Sequence, residues 1–156
     1  MSTNASLDCR PIEILMAEDS PTDVLMAREA LKQAKVCNLL HVVEDGVEAM
    51  EFLKRKGSYA DASPPDLILL DLNMPRKNGR EVLEEIKGDP RFKHIPVAIL
   101  TTSKDEEDVL RAYKLHANCY IAKPVDFTNF VSVVKSFEDF WLSVVTLPPK
   151  GDPPRR

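Results

Sequence analysis

The sequence predicts a doubly wound α/β domain, and three observations carry that expectation. Five short apolar runs alternate with five segments of helical period. The central runs are continuously apolar, which suits parallel strands covered on both faces. Acidic, hydroxyl and cationic residues directly follow the C-terminal ends of the runs, where folds of this class bind their ligands.

The elements follow in order. Ile12–Ala17 reads as a buried strand. Ser20 then Pro21 form a helix N-cap and first turn, and Val24, Leu25, Ala27, Leu31 and Ala34 mark one face of the first helix. Leu39–Val43 is the second strand, and Val47, Met50 and Leu53 recur at helical spacing after it. A loop over Gly57–Pro65 leads into Leu67–Leu70, an apolar run between aspartates and the pattern of a central strand. Met74–Gly79 is a turn, and Val82, Leu83 and Ile86 mark the third helix. Val97–Leu100 is the fourth strand, Lys104–Leu115 the fourth helix, Tyr120–Ala122 a short fifth strand, and a fifth helix runs from Asp126 to about Val144. Crossovers between the strands are expected to be right-handed. Residues 1–11 read as a polar arm, 12–145 as the domain, and 146–156 as a Pro-rich tail that cannot continue a helix.

Composition excludes several classes. With 44% hydrophobic and 29% charged residues the chain is of ordinary globular type. A net charge of -4 argues against a nucleic-acid binder. No apolar run approaches the roughly 20 residues of a membrane span, and no leader pattern opens the chain, so a cytoplasmic protein is expected. Cys9, Cys37 and Cys119 form no CxxC pair, which reads as three reduced thiols. His41, His94 and His116 have no acid or cysteine at ligand spacing and read as structural.

The strand ends carry the chemistry. Glu18 and Asp19 follow the first strand, Asp71 the third, Thr101 the fourth and Lys123 the fifth. Singly, each has an ordinary explanation as a cap, a turn residue or a solvated side chain. Together they describe a site. Two carboxylates ~4 Å apart repel by about 4 kcal/mol at an effective dielectric near 20, so three in one crevice call for a proton or a cation. An all-oxygen set with room for water suits Mg²⁺, with Asp19 and Asp71 as direct ligands and Glu18 acting through water. The ammonium of Lys123 and the hydroxyl of Thr101 suit an anion with several oxygens, such as a phosphoryl group. Asp71, at the end of the central strand, is the best-placed nucleophile for an aspartyl-phosphate.

These residues sit in MAEDS (Met16–Ser20), LLDLNMPRKNG (Leu69–Gly79), AILTTS (Ala98–Ser103) and YIAKP (Tyr120–Pro124), and the intervals from Asp19 to Asp71, Thr101 and Lys123 are 52, 30 and 22 residues in turn. In these motifs and intervals the sequence resembles the response-regulator receiver family of two-component signalling, over about residues 12 to 142. The resemblance implies a flavodoxin-like sheet of order 2-1-3-4-5 with helices on both faces. It implies that Asp71 accepts phosphate from a phosphohistidine of a sensor histidine kinase. It implies that Glu18, Asp19, Asp71 and the Asn73 carbonyl hold Mg²⁺, and that Lys123 and Thr101 contact the phosphoryl group. Tyr120 resembles the family's aromatic switch, coupled to Thr101. Asn73 and Ser103 stand where the family tunes phosphate lifetime, and Pro124 where it carries a cis peptide. His116, in place of a frequent Gly, and Val125, in place of a frequent Phe, depart from the pattern without removing a chemical group. HANCYIAKP (His116–Pro124) and FWLSVVTLP (Phe140–Pro148) resemble the small response regulators that partner cyanobacterial-type phytochromes.

The fifth helix carries an apolar stripe of Phe127, Phe130, Val131, Val134, Phe137 and Trp141. Val133, Phe140 and Val144 widen it beyond what one sheet face covers, and with Phe137 they are the expected partner interface. The expectation is a homodimer through the fourth helix, fifth strand and fifth helix, with output through protein contacts rather than turnover of a separate substrate. Two other readings remain. Phosphohydrolases resembling the haloacid dehalogenase family also form an aspartyl-phosphate, but carry D-x-D after the first strand, whereas D-L-N follows the third here. An adaptor that kept the fold without phosphorylation is expected to have lost an acid, the Thr or the Lys.

Overall fold

The computed structural model describes residues 11–33, 37–102, 108, 110, 111, 114, 115, 117–123 and 130–136. Five parallel strands form one sheet in the order β2-β1-β3-β4-β5, as expected. They are β1 (Ile12–Ala17), β2 (Asn38–Val43), β3 (Leu67–Asp71), β4 (Val97–Thr101) and β5 (Cys119–Ala122). Between them run α1 (Pro21–Gln33), α2 (Gly46–Lys54) and α3 (Gly79–Lys87). Residues 108, 110 and 111, and 130–136, are also helical.

Every residue of β3 and of β4 is buried, because helices cover both faces of the sheet centre. The alternation of side chains along the strands divides the core in two. On one face Leu15, Ala17, Ile68, Leu70, Val97 and Ile99 pack against α2 and α3 through Met50, Phe52, Val82, Leu83 and Ile86. On the other, Ile14, Met16, Leu67, Leu69, Ala98 and Leu100 pack against Ala27, Ala30 and Leu31 of α1 and against Phe130 and Val134. Phe130 and Val134 are fully buried, as the stripe of the fifth helix predicts. Phe127, Phe137 and Trp141 lie outside the described residues.

Local chemistry sets the helix ends. Pro21 opens α1, and the Ser20 hydroxyl accepts from the Asp23 N–H at 3.3 Å. Asp45 caps α2 through the Glu48 N–H at 2.8 Å, and its other oxygen takes the Arg76 guanidinium, also at 2.8 Å. Arg55 ends α2 in the left-handed region at φ 57°. Asn78 and Glu81 form a reciprocal capping box at the start of α3.

Several expectations are corrected. Leu25 stands 58% exposed, whereas Ala27 and Leu31 of the predicted face are buried together with Ala30, and Val24 packs against them. The fourth helix does not reach Leu115, since Lys114 turns out of it at φ 59°. The loop after α2 holds a short 3₁₀ turn, Gly57–Tyr59. Cys37 is disulfide-bonded while Cys119 is free, so the three thiols are not all reduced; the partner of Cys37 lies outside the described residues. His41 does have an acid partner, Glu13 on the adjacent strand at 3.0 Å. Among the described residues no helix is long and apolar enough to cross a membrane.

Candidate functional site at the strand C-termini

Parallel strands bring their C-terminal ends to one edge, and the register decides which side chains meet there. Asp71 lies opposite Leu100 and Thr101 opposite Ala122, so the ends of β3, β4 and β5 are level within one residue. Glu18 follows β1 directly, and its N–H continues the ladder to the Val43 carbonyl. Lys123 follows β5 and donates its N–H to the Thr101 carbonyl at 2.7 Å. Along their strands Glu18, Asp71 and Lys123 fall in step with the residues packed toward α1, whereas Thr101 and Tyr120 fall in step with the α2–α3 face.

Glu18, Asp19 and Asp71 each offer a carboxylate oxygen, and these oxygens lie within 4.8 Å of one another. Glu18 and Asp71 are almost wholly buried and Asp19 is exposed. The Lys123 ammonium sits among the acids, 3.1 Å from Glu18 Oε1 and 3.3 Å from Asp71 Oδ2. It also lies 3.1 Å from Oδ2 of Asp23, on the first turn of α1, a residue that the sequence reading missed. Asn73 is exposed and donates its N–H to Asp71 Oδ1 at 3.2 Å, which fixes one oxygen of that carboxylate. Thr101 is buried at the end of β4, and Tyr120 is half-buried on β5 against the same core face. The sequence-derived residues Glu18, Asp19, Asp71 and Lys123 thus meet in one cluster, with Asn73 and Thr101 at its edge. Val133 is half-buried against the core, while Ser103, His116, Pro124, Phe137, Phe140 and Val144 lie outside the described residues.

The electrostatics favour a bound cation. Burial, reinforced by the charge of Asp71, lifts the Glu18 carboxyl to about 7, against opposing hydrogen bonds from the Ser20 N–H and Lys123. Burial alone would lower Lys123, but its hydrogen bond to Glu18, the charge of Asp71 and the hydrogen bond to Asp23 outweigh it and hold the ammonium well above the ordinary lysine range. Lys123 directs its hydrogen bond to Glu18 Oε2 at 3.3 Å, and Oε1, though 3.1 Å from the ammonium, has no hydrogen-bond partner. A buried carboxylate oxygen without a hydrogen bond, beside two further carboxylates, is a donor set that suits a hard divalent cation. Glu18, Asp19 and Asp71 therefore fit such an ion.

The sign of the pH effect follows. In cation-free protein Glu18 has a folded pKa above its ordinary 4.5, so its contribution favours folding at low pH and is lost as pH rises through about 7. Melting temperatures measured in chelator should show the wild type falling relative to Glu18→Gln between about pH 5 and pH 8. A difference that stays constant across that range would contradict the assignment.

A five-stranded parallel α/β sheet with three clustered acids and a lysine at its C-terminal edge defines a receiver-type domain, and residues 14–135 match the response regulator receiver domain. The chain belongs to that family, in which phosphorylation on an aspartate by a sensor kinase is typical. It is 47% identical over 138 residues to response regulator Rcp1 of Synechocystis sp., spanning 88% of this chain and 94% of that protein. Its fold is similar to that in the crystal structure of the phosphorylated cyanobacterial phytochrome response regulator RcpA, with a TM-score of 0.74 and 48% identity over 90% of this chain and all of that one. It is also similar to the Mn²⁺-bound form of response regulator Rcp1, with a TM-score of 0.72 and 47% identity over 89% of this chain and 100% of the other.

Proposed function

We propose that this chain is a response regulator that accepts a phosphoryl group on Asp71 from a phosphohistidine of a phytochrome-type sensor histidine kinase, with Mg²⁺ as cofactor. The observation that carries the reading is the cluster itself: a buried Asp71 carboxylate within one cation's reach of Glu18 and Asp19, and 3.3 Å from the Lys123 ammonium.

The chain's own groups then have defined tasks. The Asn73 N–H on Oδ1 orients the Asp71 carboxylate and leaves Oδ2 to attack phosphorus. The new O–P bond forms as the P–N bond of the donor breaks, and the electron pair leaves on the imidazole nitrogen, which takes a proton. Lys123 turns from the Asp71 carboxylate toward the phosphoryl oxygens, and the Thr101 hydroxyl donates to another. A divalent cation held by Glu18, Asp19, Asp71 and the Asn73 carbonyl supplies charge neutralisation of the phosphoryl oxygens. Thr101 and Tyr120 share the α2–α3 side of the sheet, so movement of Thr101 toward the phosphoryl group is coupled to the aromatic ring and thence to a partner surface.

Three features support the phytochrome assignment and the output mode: the identity to Rcp1 and RcpA, the His116–Pro124 motif, and the apolar residues Val133, Phe137, Phe140 and Val144. The reading includes a homodimer through the fourth helix, fifth strand and fifth helix, a cytoplasmic location, a domain over 12–145 between the arm and the tail, and no turnover of a separate substrate. Transfer of labelled phosphate from an autophosphorylated phytochrome kinase tests the function: stoichiometric labelling that requires Mg²⁺ is expected, and repeated turnover of small phosphorylated metabolites would favour a phosphohydrolase instead. For the interface, Phe140→Glu should shift the protein from dimer to monomer in sedimentation at micromolar concentration, and an unchanged dimer would refute that surface.

A further inference from the structure

Asp23 is a buried carboxylate that neither the metal cluster nor the phosphoryl contacts employ, and its surroundings give it a task. It stands on the first turn of α1, 8% exposed, with its N–H on the Ser20 hydroxyl and its Oδ2 3.1 Å from Lys123 Nζ. An ammonium has three N–H donors. Here three acids surround it: Glu18 at 3.1 Å, Asp71 at 3.3 Å and Asp23 at 3.1 Å. Two of the three, Glu18 and Asp71, belong to the set of oxygens within one cation's reach; Asp23 does not. A divalent cation in the cluster, and then an ester on Asp71, would engage oxygens of both of those carboxylates. Asp23, outside that set, would keep its acceptor oxygen for Lys123 throughout.

We propose that Asp23 is a positioning residue for phosphoryl transfer: it anchors the Lys123 ammonium from the α1 side, so that the cation stays aimed into the crevice once Glu18 and Asp71 are engaged elsewhere. The inference rests on the reading of Asp71 as the phosphoacceptor. A helix-borne anchor suits the task, because α1 is held to the sheet by Ala27, Ala30 and Leu31, whereas Lys123 follows a short edge strand. With one carboxylate fixed, the four-carbon stem of Lys123 loses the freedom that would otherwise place its charge outside the crevice.

The test uses the full chain, Mg²⁺ and acetyl phosphate as donor, in which the Asp71 O–P bond forms as the donor's P–O bond breaks and acetate leaves with the electron pair. Asp23→Ala should slow labelling of Asp71 about tenfold, below the roughly hundredfold that a 1 Å misplacement of a reacting group can cost. Asp23→Asn, which keeps an acceptor oxygen of the same reach, should recover most of the rate. In a Lys123→Gln background, followed over hours, Asp23→Ala should change nothing further, because the residue acts through the ammonium. An unslowed Asp23→Ala, or the same slowing in the Lys123→Gln background, would overturn the role of Asp23 while leaving Asp71 as acceptor. A wild-type chain that takes no label would instead overturn the phosphoacceptor reading itself.

Discussion

Asp71→Asn should abolish labelling by a phosphorylated kinase, by about a hundredfold or more, and at the same time make the cation-free protein harder to unfold. The first effect is chemical. A carboxamide oxygen is a far weaker nucleophile than a carboxylate, and no other described acid sits on the central strand with its second oxygen already held by a backbone N–H. The second effect is electrostatic. Asp71 is 1% exposed beside Glu18, whose carboxyl burial and the Asp71 charge together lift to about 7, so neutralising Asp71 relieves a buried repulsion. The same change removes a ligand, so Mg²⁺ should stabilise the variant less than the wild type in a thermal shift titration. Lost labelling, a raised cation-free melting point and a reduced Mg²⁺ shift form a joint signature. A variant that labels like the wild type would refute Asp71 as acceptor, and one that melts lower in chelator would refute the crowded-acid account.

The legibility of this molecule follows the range of the interaction concerned. Strands were readable because continuous burial leaves a local mark: Ile12–Ala17 is reproduced residue for residue, and β3 and β4 run one residue past their apolar runs to include Asp71 and Thr101. Those two extensions are functional, since a polar residue can close a ladder when the site beyond it supplies partners. The acids and Lys123 were readable because topology alone sends strand ends to one edge. Leu25 was misassigned because it lies at the margin of the arc that Val24, Ala27 and Leu31 define, and Ala30 within that arc gives a weak hydrophobic signal. Asp23 was missed for a different reason: an acid in a first helical turn is already explained by the helix dipole. Its contact with Lys123, a hundred residues on, depends on how α1 lies on the sheet. The Glu13–His41 pair likewise depends on the β1–β2 register, which places Leu15 beside His41.

The largest structural effect is expected from a residue with no side chain. Gly79 opens α3, is buried, and donates its N–H to the Leu72 carbonyl at 3.0 Å. A Cβ at this position would collide with the Asp71 carbonyl oxygen and come within 2.7 Å of Leu72 Cα. Both are backbone atoms, and neither can swing aside as a flexible side chain would. Inside a helix, Gly→Ala ordinarily gains about 1 kcal/mol from propensity. Here the clash must either lift α3 off the sheet or push back the end of β3, and overpacking of a rigid core costs about 1–3 kcal/mol, at the upper end where backbone must move. The clash wins, and Gly79→Ala should lower the melting temperature by about 5–8 °C. Gly88→Ala supplies the contrast: it caps the far end of α3, its nearest obstacle is the Glu84 carbonyl oxygen at 3.3 Å, and its φ of -88° suits any residue. It should change stability by less than about 1 kcal/mol. The atoms displaced by a Cβ at Gly79 belong to the peptide that carries Asp71, so the Gly79→Ala protein that does fold should also bind Mg²⁺ more weakly than the wild type. A Gly79→Ala protein as stable as the wild type would mean that α3 does not approach the end of β3 so closely, and the placement of the Asp71 carboxylate would have to be argued afresh.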